Sequence, residues 1–403
     1  MSQPLRIALL MHSVRPRGGV VHTLELAEAL MARGHRVTVI ASAEPGESLF
    51  RSVAHEVALI RLPELAGDLV SRVRQRIATL TAALPAVLPT GRFDLVHAQD
   101  SLSGNALATL HEEGRLDMPW LRTVHHLDVF DQALLNQWQE RAWRRADGVG
   151  CVSDTWLRHL RQEHACKAER MFNGVNLQRF RPGVPGDEDE AALRSLRSLG
   201  LLAGPVCLLV GGVEARKNSV RLLRAFAWLR AQDPAWAGTQ LVVAGGASML
   251  DHSAARGEWM QALSAVGLRE GPGEAVLRSG PLADSLLPPL MRRAQVLAMP
   301  SLVEGFGLAA LEALACGTPV LVSQRPPFTE HLRGCDAVAW CDPEDIASIA
   351  AGLQRAAQLP RPAAPPPVCV QHSWGRSARL HEAWYRRALQ AAAPRVEEPM
   401  PVH

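Results

Sequence analysis

Glu304 and Glu312 flank a glycine turn in the run Pro300-Ser-Leu-Val-Glu304-Gly-Phe-Gly307-Leu-Ala-Ala-Leu-Glu312. Carboxylates accept hydrogen bonds from paired hydroxyls, and Gly305 and Gly307 let backbone amides come close to a bound group. The apolar run 294–299 reads as a buried strand, and the Ala/Leu-rich run after the turn reads as a helix stopped by Gly317 and Pro319. Open α/β sheets bind ligands at the carboxyl ends of their strands, and the amides of a starting helix favour an anion such as a diphosphate. At about 1.5 Å per residue, eight helical residues would separate the two acids by roughly 12 Å. Sugar hydroxyls at the two ends of a nucleotide sugar suit that spacing, with Gly305, Phe306 and Gly307 forming the donor-binding turn between them. Two other readings compete. A dinucleotide fingerprint would need an acid at the end of the next strand, where Ser323-Gln324-Arg325 stands instead. A purely structural pair would have Glu304 capping and Glu312 solvated.

Cations stand in a second turn. Gly211-Gly212-Val213-Glu214-Ala215-Arg216-Lys217-Asn218 follows one strand pattern and precedes a helix. Arg216 offers a planar fork and Lys217 a point charge for phosphate oxygens leaving a sugar. A helix start disfavours cations, so two of them there point to a nearby anion. Lysine is otherwise nearly absent, Lys167 being the only other one.

The first half holds three further candidates. Gly18 and Gly19, in Arg15-Pro-Arg17-Gly18-Gly19-Val20, form a glycine turn before a helix ending near Gly34, placed to meet donor phosphates from across a cleft, although a flexible loop would read the same. His125, in Thr123-Val-His125-His126-Leu-Asp128, closes a strand; it can bond a sugar hydroxyl or orient an acceptor, with Asp128 placed to fix its tautomer. Asn173-Gly174-Val175-Asn176 reads as a tight turn with Gly174 at positive φ, either a plain corner or a donor contact through Asn173.

These residues need a two-part α/β scaffold, and 403 residues suffice for one. Strand patterns fall at 6–11, 36–41, 57–62, 95–98, 121–125, 148–152 and 170–172, and again at 206–210, 241–244, 275–277, 296–299, 320–322 and 337–340. Helical patterns separate most of them, which predicts two doubly wound parallel sheets facing a cleft. The expected divisions are an N-terminal acceptor-side domain at 1–185, a linker at 186–204, a donor-binding domain at 205–371, and a last helix and tail at 372–403. The linker contains Asp187-x-Asp189, which lies in a charged stretch after no strand and is read as solvated, so no metal is expected.

A net charge of +3 gives no argument for nucleic acid, and seven scattered cysteines with no Cys-x-x-Cys pair suit a reducing cytoplasm. The N-terminus runs straight into a strand pattern, and no apolar stretch is long enough to span a bilayer. The segment 69–80 is apolar on one side and basic on another, so a weak peripheral contact with anionic lipid at the inner membrane face is an additional expectation beside a solvated face.

Taken together, the chain resembles the retaining glycosyltransferases of family 4. The features that carry the resemblance are Gly18-Gly19, Asn173-Gly174-Val175, Arg216-Lys217, the glutamate pair around Gly305-Phe306-Gly307, Ala315-Cys316-Gly317-Thr318-Pro319 and Ser373-Trp374, in the family's order over essentially the whole length. The resemblance implies the GT-B fold, with the last helix crossing back onto the first domain. It implies transfer of a hexose from a nucleoside-diphosphate sugar to a hydroxyl of a sugar, lipid or small molecule, without cofactor or metal. Glu304 would contact the donor sugar, Glu312 the ribose, Arg216 and Lys217 the diphosphate, and His125 the sugar or acceptor. The family often has His-Asp where this chain has His125-His126 with Asp128 following, which leaves the acceptor side less defined. A sugar-phosphate-dependent phosphorylase of the same fold, and a nucleotide-sugar-binding protein without turnover, are the alternatives.

Overall fold

The computed structural model describes residues 3–183, 187–246 and 253–392. Strands β1 (Arg6–Met11), β2 (Arg36–Ala43), β3 (Glu56–Arg61), β4 (Leu95–Ala98), β5 (Trp120–Val124), β6 (Gly148–Cys151) and β7 (Ala168–Arg170) form one sheet in the order β3-β2-β1-β4-β5-β6-β7. Strands β8 (Val206–Val210), β9 (Gln240–Ala244), β10 (Val276–Gly280), β11 (Val296–Met299), β12 (Val320–Ser323) and β13 (Val338–Cys341) form a second, ordered β10-β9-β8-β11-β12-β13. Every strand pairing is parallel. Helices on both faces leave strands such as β4 and β11 buried at all four residues, which is why they read as continuous apolar runs instead of alternating.

In both sheets the strand order reverses beside the first strand of the half, β1 lying between β2 and β4 and β8 between β9 and β11. The glycine turn after β1 and the cationic turn after β8 therefore leave from corresponding switch points, where such sheets open a crevice. The helix after the first turn spans Gly18–Met31 and reaches Gly34 through a turn.

The last helix, Trp374–Ala392, crosses back to the first half. Trp374, Ala378, Trp384 and Tyr385 share a core with Ile7 and Leu9 of β1 and Leu24 of the Gly18–Met31 helix. Burying one large apolar side chain is worth roughly 1.5–3 kcal/mol, so Trp374, Trp384 and Tyr385 hold the crossing against the entropy of ordering it. Gly174 does not take the left-handed conformation. Glycine is needed there for a different reason: a Cβ would stand 2.3 Å from the Trp374 amide nitrogen, where the chain passes the start of this helix.

The expected division between 185 and 186 and the tail after 392 lie outside the described residues. Within the intervening segment a helix runs Asp187–Ser198. Asp189 is not solvated as expected; its carboxylate takes the Arg292 guanidinium, with Nε at 2.7 Å, and so clamps this helix to the second half. The side chain of Asp187 is outside the described set. The basic face of the helix Leu69–Val87 is also less open than its sequence implies, because Arg76 is buried and paired with Glu44, and Arg74 lies over the Trp138 ring at 5.9 Å. Among the described residues no helix is long and apolar enough to cross a membrane.

Candidate functional site

After β8 the chain makes a short 3-10 turn, Ala215–Lys217, and Asn218 takes a left-handed conformation with φ of 60° before the helix Ser219–Gln232 begins. The Asn218 amide donates to the carbonyls of Pro300 at 2.9 Å and Pro343 at 2.6 Å, and the Leu302 amide donates to the Arg216 carbonyl at 2.8 Å. These bonds tie the cationic turn to the loop after β11, which carries Glu304.

The three charged groups converge. Lys217 Nζ donates to Glu304 Oε1 at 2.5 Å, Ser301 Oγ donates to the same oxygen at 3.1 Å, and Arg216 Nη1 stands 3.6 Å from it. Arg216 also pairs with Glu214 at 3.0 Å. Glu304 and Lys217 are buried, while the Arg216 side chain keeps 30% of its surface exposed. Burial alone would push the Glu304 carboxyl up, but Lys217 and Arg216 hold it below the usual carboxylate range. The Arg216 guanidinium is in turn held above its ordinary value against burial by Glu304 and Glu214. The anion that two cations at a helix start call for is thus already present within the protein.

Glu312 occupies another environment. The helix starts only at Leu308, with Gly307 as its N-cap at φ of 89°, so Glu312 is its fifth residue. Glu304 lies outside the helix, and the expected run of eight helical residues between the acids does not exist, because the left-handed Gly307 interrupts the backbone. Burial pushes the Glu312 carboxyl up to about 7, with Arg179 opposing and Glu25 and Asp284 reinforcing the rise. Those neighbours form a network across the two halves: Arg51 donates to Glu25 at 2.8 Å and stands 3.8 Å from Asp284, which pairs with Arg179 at 2.5 Å.

The two halves pass closely at Gly305, where a Cβ would lie 2.3 Å from the His125 carbonyl oxygen. Gly19 approaches the same residue, its missing Cβ falling 3.6 Å from His125 Cδ2, whereas Gly18 faces open space. His125 Nε2 lies 3.0 Å from Gln99 Oε1 and its ring packs edge-on to His22 at 4.6 Å. Burial, then His22 and Arg122, hold its imidazole well below the ordinary histidine value, so it is neutral near pH 7. Asp128 does not fix the tautomer of His125 as expected; it faces the other histidine, His126, at 3.3 Å. The chain turns after β5, which carries Asp128 away from His125 and beside its neighbour.

Two candidates sit apart from the cleft chemistry. The Phe306 ring is 3% exposed and stacks on His331 at 4.6 Å, so only its backbone can face a ligand. Asn173 is 3% exposed and its Oδ1 lies 2.8 Å from His22 Nδ1, behind His125. Glu214, Ser301 and Gln99 were not singled out from the sequence. Glu214 and Ser301 lie inside the two runs that were, and their proximity to the named charges was the signal available. Gln99 had none. Among the described residues no cluster of His, Cys, Asp or Glu side chains is arranged to hold a metal ion.

Residues 16–179 match the model described as Glycosyltransferase Family 4, and residues 200–366 match Glycosyl transferases group 1. A D-inositol 3-phosphate glycosyltransferase of Xylanimonas cellulosilytica is 30% identical over 365 residues, covering 81% of this chain and 82% of that protein. Sucrose-phosphate synthase from Thermosynechococcus elongatus matches with a TM-score of 0.76 at 22% identity, over 96% of this chain and 100% of that one. The catalytic domain of starch synthase IV from Arabidopsis thaliana, bound to ADP and acarbose, matches with a TM-score of 0.73 at 16% identity, over 96% of this chain and 100% of the other. Two parallel Rossmann-like sheets with this likeness are the GT-B fold.

Proposed function

The chain belongs to the family 4 glycosyltransferases, and we propose that it moves a hexose from a nucleoside-diphosphate sugar to a carbohydrate-type hydroxyl with retention of configuration. The observation that carries this reading is the meeting of Lys217, Arg216 and Glu304 at one point of the cleft, with the Lys217–Glu304 bond at 2.5 Å. When the bond from the anomeric carbon to the diphosphate breaks, negative charge builds on the departing oxygen. Arg216 and Lys217 stabilise that charge, aided by the amides of the Gly305–Gly307 turn, and no metal is assigned to the step. Glu304 accepts a hydroxyl of the hexose while keeping Lys217 in place. Glu312 accepts ribose hydroxyls, which favours a nucleotide donor over a sugar phosphate. The acceptor hydroxyl enters on the face that the diphosphate leaves, and its proton passes to the departing phosphate.

His125 meets the sugar or acceptor as a neutral hydrogen-bonding group. The names of the relatives, which include a D-inositol 3-phosphate glycosyltransferase and a sucrose-phosphate synthase, favour a sugar or polyol acceptor. The test is turnover of UDP-, GDP- and ADP-hexoses against a panel of sugar and polyol phosphates in the presence of chelator, with the product read by proton NMR. Release of nucleoside diphosphate together with a product of the donor's own anomeric configuration is the expected result. An inverted product, or arrest by chelator, overturns the mechanism.

A further inference from the structure

Gln99 follows β4 and is 3% exposed. Its amide nitrogen lies 3.1 Å from His97 Nδ1 and 3.2 Å from His97 Nε2, and its Oε1 lies 3.0 Å from His125 Nε2. His97 is fully buried; its Nδ1 stands 2.7 Å from the Tyr385 hydroxyl on the crossing helix, and its Nε2 stands 2.8 Å from Thr123 Oγ1 on β5. A continuous line of hydrogen bonds thus runs from the C-terminal helix through His97 and Gln99 to the candidate site.

The orientation of the Gln99 amide follows from its two neighbours. Neutral imidazole carries one proton, and an amide oxygen only accepts. Tyr385 and Thr123 carry hydroxyls that can each donate or accept, so either His97 tautomer is satisfied; in both, the Gln99 amide nitrogen lies against the His97 ring and Gln99 Oε1 is the end that faces His125 Nε2. Resting on the reading of His125 as a residue that meets the substrate, we propose that Gln99 is a positioning residue. Its amide oxygen holds the proton of His125 on Nε2, so Nδ1 is presented as the acceptor for a hydroxyl of the bound sugar or acceptor. No described residue hydrogen-bonds that Nδ1.

The surroundings of His125 make this hold consequential. His22 from the Gly18–Met31 helix, Arg122 on β5, the adjacent His126 and His97 on β4 face it, and all of them disfavour its protonation. A ring that stays neutral can fail in its role only by carrying its proton on the wrong nitrogen or by turning, and Gln99 opposes both. Tyr385, His97 and Gln99 are buried, so the bonds among them are costly to lose, because water cannot replace them.

The experiment compares the full-length protein with Gln99→Leu, Gln99→Glu and His125→Ala, measuring kcat, KM for donor and acceptor, and the nitrogen-15 shifts of the His125 ring. Wild type is expected to show the Nε2-protonated tautomer. Gln99→Leu is expected to show both tautomers, with kcat lowered about tenfold and donor KM little changed. Should Gln99→Leu fail to fold, the isosteric Gln99→Glu keeps the test. Its carboxylate beside Nε2 favours the imidazolium, so the titration of His125 moves up and kcat gains a loss on the acid side that wild type lacks. Unchanged tautomer and kcat in Gln99→Leu, or an unmoved His125 titration in Gln99→Glu, overturns the proposal. Full kcat in His125→Ala removes the reading of His125 itself. Loss in His125→Ala with both Gln99 variants unaffected removes only the role of Gln99.

Discussion

The two walls of the candidate site are built on opposite electrostatic plans. On the C-terminal side, Glu304, Lys217, Arg216 and Glu214 are charged and each compensates another. On the N-terminal side, His125, His22, His97 and His381 are all pushed below the usual histidine value by burial, and they are held by neutral hydrogen bonds to Gln99, Asn173, Tyr385 and Ser377. A diphosphate gaining charge needs preorganised cations, whereas a hydroxyl that must be oriented needs groups that keep one protonation state. Under the proposed function, the difference would separate a wall that stabilises charge from a wall that sets direction.

The largest expected effect breaks the charged wall. Lys217→Ala leaves the Glu304 carboxylate buried with Arg216 at 3.6 Å as its remaining cation. Turnover should fall about 100- to 1,000-fold, and stability by roughly 3–5 kcal/mol, since one member of a buried pair has been removed. The double variant Lys217→Ala/Glu304→Gln should recover most of the stability and none of the turnover, read by denaturant unfolding and steady-state kinetics. If activity returns with stability, the cation serves the fold alone.

Next in size is the contact between the walls. Gly305→Ala would place a methyl 2.3 Å from the His125 carbonyl, so the halves must separate or the turn must move. We expect kcat to fall about tenfold or more, while each half keeps its circular-dichroism signature. Wild-type kcat in this variant would mean that the approach at Gly305 plays no part in turnover.

The smallest effect concerns Glu312, the acid that does not share the compensation of Glu304. Its carboxyl titrates near 7 in the folded protein against an ordinary value of 4.5, so folding takes up a proton between those values. The stability it contributes is present below about pH 4.5 and is lost as pH rises through about 7. Glu312→Gln should therefore raise the melting temperature at pH 8 and have little effect at pH 4.5. The gain at pH 8 is on the order of 3 kcal/mol or less. An equal shift at both pH values would show that the carboxyl is not strained by its burial.

The legibility of the two walls in the sequence follows the same division. Each charged residue of the C-terminal wall lies within one of two short runs, 211–218 and 300–312, and a strand, a glycine turn and a helix can be read from each run alone. The N-terminal wall is assembled from partners far apart in the chain: His22 with Asn173, His97 with Tyr385, Gln99 with His125. A lone glutamine after a strand carries no local signal. Asp128 shows the same limit: it stands beside His126 at 3.3 Å, and adjacency in sequence does not say which way a chain turns after β5. Gly174 is required by a close passage of Trp374, a residue 200 positions later, which residue type alone does not reveal. The fold fared better because buried parallel strands show as apolar runs whatever their partners are.

The crossing helix bears on how the protein is made. Trp374, Trp384 and Tyr385 fill a groove beside β1 and the Gly18–Met31 helix, and Tyr385 anchors His97. On the ribosome the N-terminal half emerges first, with that groove still vacant and an apolar strip facing solvent. It completes its interior only after the helix Trp374–Ala392 has left the exit tunnel. The bond between Tyr385 and His97 therefore forms only after synthesis has passed the whole of the second half.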